Sequence, residues 1–240
     1  MIFDPIYILL LVVTIGITGW AAWRVRSTYA KWSKVDSGIN TDAFDFARRL
    51  LDRQGLQHVR IEPTPGQLTD HYDPRGKVLR VSTQVADASA LETGGIRTAA
   101  PRLSVAAAAV IAHEVGHALQ DQQKEPMMAL RQFLVPAAQF GSGIAPWLII
   151  AGFFLNLTGL ALVGLIGFAA AVAFTFATLP VEIGASGKAL AFVNGLGMVG
   201  ERQDGARAVL KAAAWTYVAG ALTALLTFLY YAWLIFGRRD

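Results

Sequence analysis

The chain has 240 residues, of which 54% are hydrophobic, with a mean hydropathy of +0.44, 21 Lys and Arg against 17 Asp and Glu, and no Cys. Its apolar residues gather into runs longer than a core strand needs, which excludes an ordinary soluble domain and indicates an integral membrane protein. The lack of Cys excludes disulfides, iron–sulfur clusters and a thiol nucleophile, leaving His and carboxylate as the metal ligands on offer.

Residues 6–23 form an uncharged run of 18, long enough to cross the hydrocarbon core. Asp4 precedes it and Arg24, Arg26, Lys31 and Lys34 follow, so the positive-inside rule puts the N-terminus outside and residue 24 onward in the cytoplasm. A membrane anchor is expected here rather than a cleaved signal peptide, which would want a basic stretch ahead of the run. The net charge of +4 is read as topology, because no helix-turn-helix, P-loop or aromatic RNA-binding signature accompanies it.

Residues 40–54 read as an amphipathic helix, capped by Thr41, with Phe44, Ala47, Leu50 and Leu51 at helical spacing and Gly55 as its stop. A strand is expected at residues 58–62 and a turn at Pro63-Thr64-Pro65-Gly66. A second polar turn at residues 70–76 leads into a strand at 77–82, and residues 83–103 read as loop.

The run from residue 104 to 123 is rich in Ala, and Ser104 stands as its N-cap, so a helix of about five turns is expected. It carries His113-Glu114-Val115-Gly116-His117. Residues four apart share a helix face, so His113 and His117 point the same way, with Glu114 about 100° round beside them. This is the H-E-x-x-H zinc arrangement. Two neutral imidazoles supply two of three protein ligands to a catalytic Zn²⁺ and leave a position for water, and the adjacent carboxylate takes the proton from that water. A scattered-polar surface helix fits badly, since the flanks are nearly all Ala, Val, Ile and Leu and burying these groups unpaired is costly.

Residues 132–181 carry no charge over 50 positions, which suits two crossings joined at Asn156-Leu157-Thr158-Gly159. The spans fall near 135–156, kinked at Pro146, and 160–179. Residues 182–211 are polar again, with four Lys or Arg, and 212–237 is a last uncharged run of 26. The expected fold is therefore an α-helical integral membrane protein with about four transmembrane helices and a small α+β zincin-like cytoplasmic domain. Its parts are an N-terminal transmembrane helix (1–23), the α+β domain (24–131), two transmembrane helices (132–181), a cytoplasmic helical segment (182–211), and a C-terminal transmembrane helix and tail (212–240). Arg238 and Arg239 then lie on the side the charge rule disfavours, outweighed by the 15 basic residues of the first cytoplasmic segment.

A third ligand must come from elsewhere. The metzincin extension would need Gly at 120 and His at 123, and both are Gln. His58 and His71 lie upstream, and the downstream carboxylates are Asp121, Glu125, Glu182, Glu201, Asp204 and Asp240. Two crossings separate His117 from Glu182, so both return to the same side of the membrane in either orientation, which favours Glu182. The competing role for Glu182 is a first-turn residue after Pro180 that serves only the helix dipole.

The stretch Gly66-Gln67-Leu68-Thr69-Asp70-His71-Tyr72-Asp73-Pro74-Arg75, residues 112–120, Thr178-Leu179-Pro180-Val181-Glu182 with Ala185-Ser186, and Gly205-Ala206-Arg207 together resemble the membrane-embedded neutral zinc metallopeptidases of bacteria, the YugP-like group. The resemblance covers nearly the whole chain. It implies a zinc endopeptidase-like activity in the inner membrane of a bacterial cell, with Glu182 as third ligand. Related membrane gluzincins carry E-x-x-A-D, whose Asp supports the zinc shell. Ser186 stands at that position here and offers a weaker hydrogen bond. Residues 86–102 run longer than the family's usual link into the metal helix, as a lid, a partner-binding loop or padding.

The expected function is peptide-bond hydrolysis at the cytoplasmic membrane face, with His113, His117 and Glu182 on Zn²⁺ and Glu114 as general base. The strand at 77–82 would offer its edge to an extended substrate. His71 and Tyr72 are candidate second donors to the oxyanion, against the plainer reading of residues 70–75 as a hydrogen-bonded turn. Expected partners are a protein or peptide substrate, membrane proteins included, and the lipid bilayer, with no nucleic acid; the oligomeric state stays open. The alternative is a zinc-binding membrane scaffold or assembly protein without proteolytic activity. A closed structural site would need a fourth ligand, and no Cys exists to provide it.

Overall fold

The computed structural model describes residues 4–87, 92–93, 96–97 and 102–237. In chain order the elements are α1 (Pro5–Trp32), α2 (Ala43–Arg53), β1 (Arg60–Thr64), β2 (His71–Asp73), β3 (Val78–Ser82), α3 (Thr83–Asp87), β4 (Glu92–Thr93) and β5 (Ile96–Arg97). Then come α4 (Val105–Gln122), α5 (Pro126–Gly143), α6 (Ala145–Phe154), α7 (Thr158–Gly195) and α8 (Glu201–Phe236). Among the described residues, four helical stretches are long and apolar enough to cross a membrane: Pro5–Trp32, Pro126–Phe154, Thr158–Gly195 and Glu201–Phe236.

The chain divides into two compact units. The first combines residues 4–22, Pro126–Pro180 and residues 215–237. In it, a Cβ on Gly164 would lie 2.7 Å from the Ala145 carbonyl, so α7 meets α6 backbone to backbone. Small residues permit that approach where lipid gives no hydrophobic drive between helices. Ile149, Leu165, Phe168, Tyr231 and Leu234 are buried around this contact, and the Tyr230 hydroxyl donates to Asp4 at 3.1 Å.

The second unit combines Trp23–Glu125 with Val181–Ala214 and holds the sheet and α4. Its α2 is amphipathic and buries Ala43, Phe46, Ala47, Leu50 and Leu51. Each fully buried Leu or Phe there contributes about 1.5–3 kcal/mol. The sheet runs β1-β3-β2, with β1 parallel and β2 antiparallel to β3. Leu79 and Val81 of β3 join Phe46, Leu51, Leu103 and Ile111 in one core. The Arg48 guanidinium donates to the Val59 and Leu56 carbonyls at 2.7 and 3.0 Å, which fastens the α2–β1 connection to the helix.

Several elements differ from their sequence expectation. The cap of α2 is Asp42, not Thr41, because the Asp42 carboxylate accepts the Asp45 N–H at 2.8 Å. The first strand lies two residues later than expected and includes Pro63. A proline is tolerated there because β1 is an edge strand with no second neighbour to receive an N–H. Residues 71–73 of the expected polar turn are β2, leaving the turn to Pro74 through Lys77, where Lys77 has φ +50. The expected loop at 83–103 contains α3 and the antiparallel β4–β5 pair, while residues 88–91, 94–95 and 98–101 lie outside the described residues, and most of the 86–102 insertion with them.

The middle stretch breaks at Ile144 into α5 and α6, with Pro146 in the first turn of α6, as its fixed φ and missing N–H favour. The α6–α7 turn includes Asn156 at φ +55, inside the expected hairpin. Polar residues after 181 do not start a new helix: α7 continues unbroken through Pro180 to Gly195, and α8 already begins at Glu201. Glu182 thus sits well inside a helix. The first-turn dipole role has no terminus to act on.

Candidate metal centre

Helix α4 starts where the Ser104 hydroxyl accepts the Ala107 N–H at 3.1 Å, and its Ala-rich faces are almost fully buried. The helical period then sets the His113 and His117 rings side by side, centroids 4.6 Å apart and nearly perpendicular. Glu182 of α7 meets them: its Oε2 lies 3.1 Å from His113 Nε2 and 3.4 Å from His117 Nε2. One ligand atom from each of the three residues lies within 4.8 Å of the others. Among the described residues this is the one His/carboxylate group of three that could hold a metal, and Glu182 is only 1% exposed.

The approach of α7 to α4 depends on a missing side chain. A Cβ on Gly116 would stand 2.8 Å from the Ala185 carbonyl oxygen, so only glycine lets the two backbones close to this distance. Gly184 likewise leaves room for the Gln120 side chain, whose Nε2 a Cβ there would meet at 2.8 Å.

Hydrogen bonds behind the ring nitrogens test whether the group suits a metal. Gln120 donates from Nε2 to the Val181 carbonyl at 2.9 Å, so its Oε1 faces His117 Nδ1 at 3.0 Å. A carbonyl can only accept, so this fixes the amide's orientation and makes His117 Nδ1 the donor. In the neutral ring Nε2 then carries a lone pair, aimed at a carboxylate oxygen. Electron-rich atoms facing each other in a buried site call for a cation between them, and two imidazoles with one carboxylate are a zinc donor set. Ser186, one turn after Glu182 on α7, places its Oγ 3.3 Å from His113 Nδ1.

Glu114 is oriented from the sheet. Its Oε2 accepts the Tyr72 backbone N–H of the edge strand β2 at 2.9 Å. Desolvation raises its pKa to about 7 against the lowering effect of His113, with the Glu182 and Asp70 carboxylates adding to the rise.

The other named residues are placed as follows. The Tyr72 hydroxyl donates to Asp121 Oδ2 at 2.7 Å, where Lys77 Nζ also binds, and burial together with that carboxylate pushes the phenol above its ordinary range. Strand alternation turns His71 to the opposite face from Tyr72. His71 is exposed; its Nδ1 donates to the Thr69 carbonyl at 2.8 Å and its Nε2 accepts from Arg80 at 3.1 Å. The strand at 77–82 has no free edge, because β3 is the middle strand and the edges are β1 and β2. Asp121 and Glu125, considered as ligands, go to Tyr72 with Lys77 and to Lys188 at 2.8 Å respectively. In the sequence, Gln120 stands where the metzincin extension would need Gly and closes the 112–120 stretch, with no role of its own assigned. Its place three residues after His117, polar on an apolar helix face, was the available signal.

Among known proteins, the chain matches the family described as "Putative neutral zinc metallopeptidase" over residues 7–236. It is similar to the "Putative membrane protease YugP" of Bacillus subtilis (strain 168), at 38% identity over 236 residues, 98% of this chain and 99% of that protein. No solved structure matches the chain significantly.

Proposed function

Since the chain belongs to the putative neutral zinc metallopeptidase family, we propose that it is a membrane-bound zinc endopeptidase whose centre is His113, His117 and Glu182 with Glu114 as general base. The observation that carries this reading is the convergence of three ligand atoms within 4.8 Å beside the Glu114 carboxylate. Zinc at that position would supply a polarised water and a Lewis acid for the scissile carbonyl. Glu114, aimed by the Tyr72 N–H, takes the proton of the attacking water and delivers it to the leaving amine. An extended substrate backbone pairs along the edge strand β2 next to Glu114, so that cleavage favours unfolded or extended segments.

The protein spans the inner membrane of a bacterial cell with the centre facing the cytoplasm. Supporting this are the four basic residues Arg24, Arg26, Lys31 and Lys34 that follow the first apolar run, and the position of Glu182 directly after the uncharged run 132–181. Its substrates are proteins or peptides, membrane proteins among them.

Zinc content tests the centre. Detergent-purified wild type should carry about one zinc per chain and Glu182→Ala far less, with cleavage lost on chelation and restored by zinc. Undiminished zinc in Glu182→Ala would move the third ligand elsewhere and overturn the assignment.

A further inference from the structure

Gln120 is 1% exposed and uncharged, and it makes two hydrogen bonds that the peptidase reading does not itself require. Its Oε1 accepts the Nδ1–H of His117, and its Nε2 donates to the carbonyl of Val181, the residue immediately before Glu182. A single planar carboxamide therefore touches one ligand directly and the backbone of another ligand's neighbour, across 61 positions of sequence. Gly184, one turn along α7, leaves the space that the amide occupies.

We infer that Gln120 is a positioning residue that holds the zinc centre's two halves in register. This rests on the zinc site proposed above. Through Oε1 it selects the His117 tautomer with Nε2 free for the metal; through Nε2 it sets where α7, and hence the Glu182 carboxylate, stops relative to α4. A carboxylate behind the imidazole, the common arrangement, could do the first and not the second, because it has no proton to give the Val181 carbonyl. An amide does both. A buried, fully paired amide is also rigid, since breaking either bond leaves a polar group without water.

The test uses the full chain in detergent and reads metal affinity rather than turnover. Zinc binding is measured by competition with a chelating dye, the cobalt(II)-substituted protein by its visible absorption, and the metal-free fold by its melting temperature. Gln120→Met keeps the length and removes both hydrogen bonds. It should weaken zinc binding by about 10–100-fold and change the cobalt spectrum, beyond any lowering of the metal-free melting temperature that the lost hydrogen bonds bring. Gln120→Glu keeps the acceptor for His117 and should retain a clearly larger share of the affinity. Wild-type affinity in Gln120→Met, or a lowered metal-free melting temperature with affinity and spectrum unchanged, would overturn the assignment while leaving the zinc centre intact. Equal losses in the Met and Glu variants would overturn it too, since the His117 contact would then carry nothing. A wild type that takes up no zinc would sink the centre and this role together.

Discussion

At the scale of single residues, the proposed chemistry hangs on a carboxylate that a distant strand aims. Glu114 follows His113 on α4, yet its direction comes from a strand amide of Tyr72, 42 positions away in sequence. Replacing it by Gln preserves size and the ability to accept that N–H while removing the proposed base. Glu114→Gln should therefore lower peptide cleavage by about 10²–10⁴-fold and leave zinc per chain unchanged, assayed on an unfolded protein substrate beside a metal determination. Intact cleavage with zinc still bound would remove Glu114 from the mechanism. The residue pattern alone offers His71 and Tyr72 as candidate second donors to the oxyanion, against a hydrogen-bonded turn; adjacent strand residues face opposite ways, and the Tyr72 hydroxyl is engaged by Asp121.

Among the elements, α4 and α7 matter most, and their contact is set by backbone rather than by interlocking side chains. Gly116→Ala would drive a methyl group into the Ala185 carbonyl, a neighbour with no freedom to swing aside. The expected cost is about 1–3 kcal/mol of overpacking, seen as a lower melting temperature, together with weaker zinc binding because Glu182 lies less than one turn from Ala185. Gly187→Ala on α7 meets nothing within 4 Å and serves as the control, neutral or slightly stabilising by about 0.5–1 kcal/mol. Much of this level is written locally. The Ser104 cap, the apolar face of α2 and the stop at Gly55, at φ +73, follow from short-range rules. Strand placement does not: β1 is displaced by two residues, a shift that keeps each residue on the same side of the sheet, so alternation cannot distinguish the two placements and only pairing with β3 decides.

For the whole molecule, the absence of Cys from the sequence makes the proposed orientation measurable. His58 is exposed between α2 and β1, so His58→Cys offers a single thiol on the second unit. In intact cells it should resist a membrane-impermeant maleimide and react once the membrane is opened. Labelling of intact cells would reverse the topology proposed here. The sequence by itself determines the long apolar helices, through runs that no water-facing surface would accept, and the paired imidazoles, through the helical period. It also carries the family, in motifs spread along nearly the full chain. Tertiary structure decides that Glu182 reaches His113 across 69 positions, that Gln120 ties the two helices together, and that β2 rather than β3 borders Glu114. The reason is physical: periodicity and hydropathy are sums over neighbours in the chain, whereas a ligand set is a meeting of distant segments, and here that meeting depends on how closely two backbones can approach where Gly116 has no side chain.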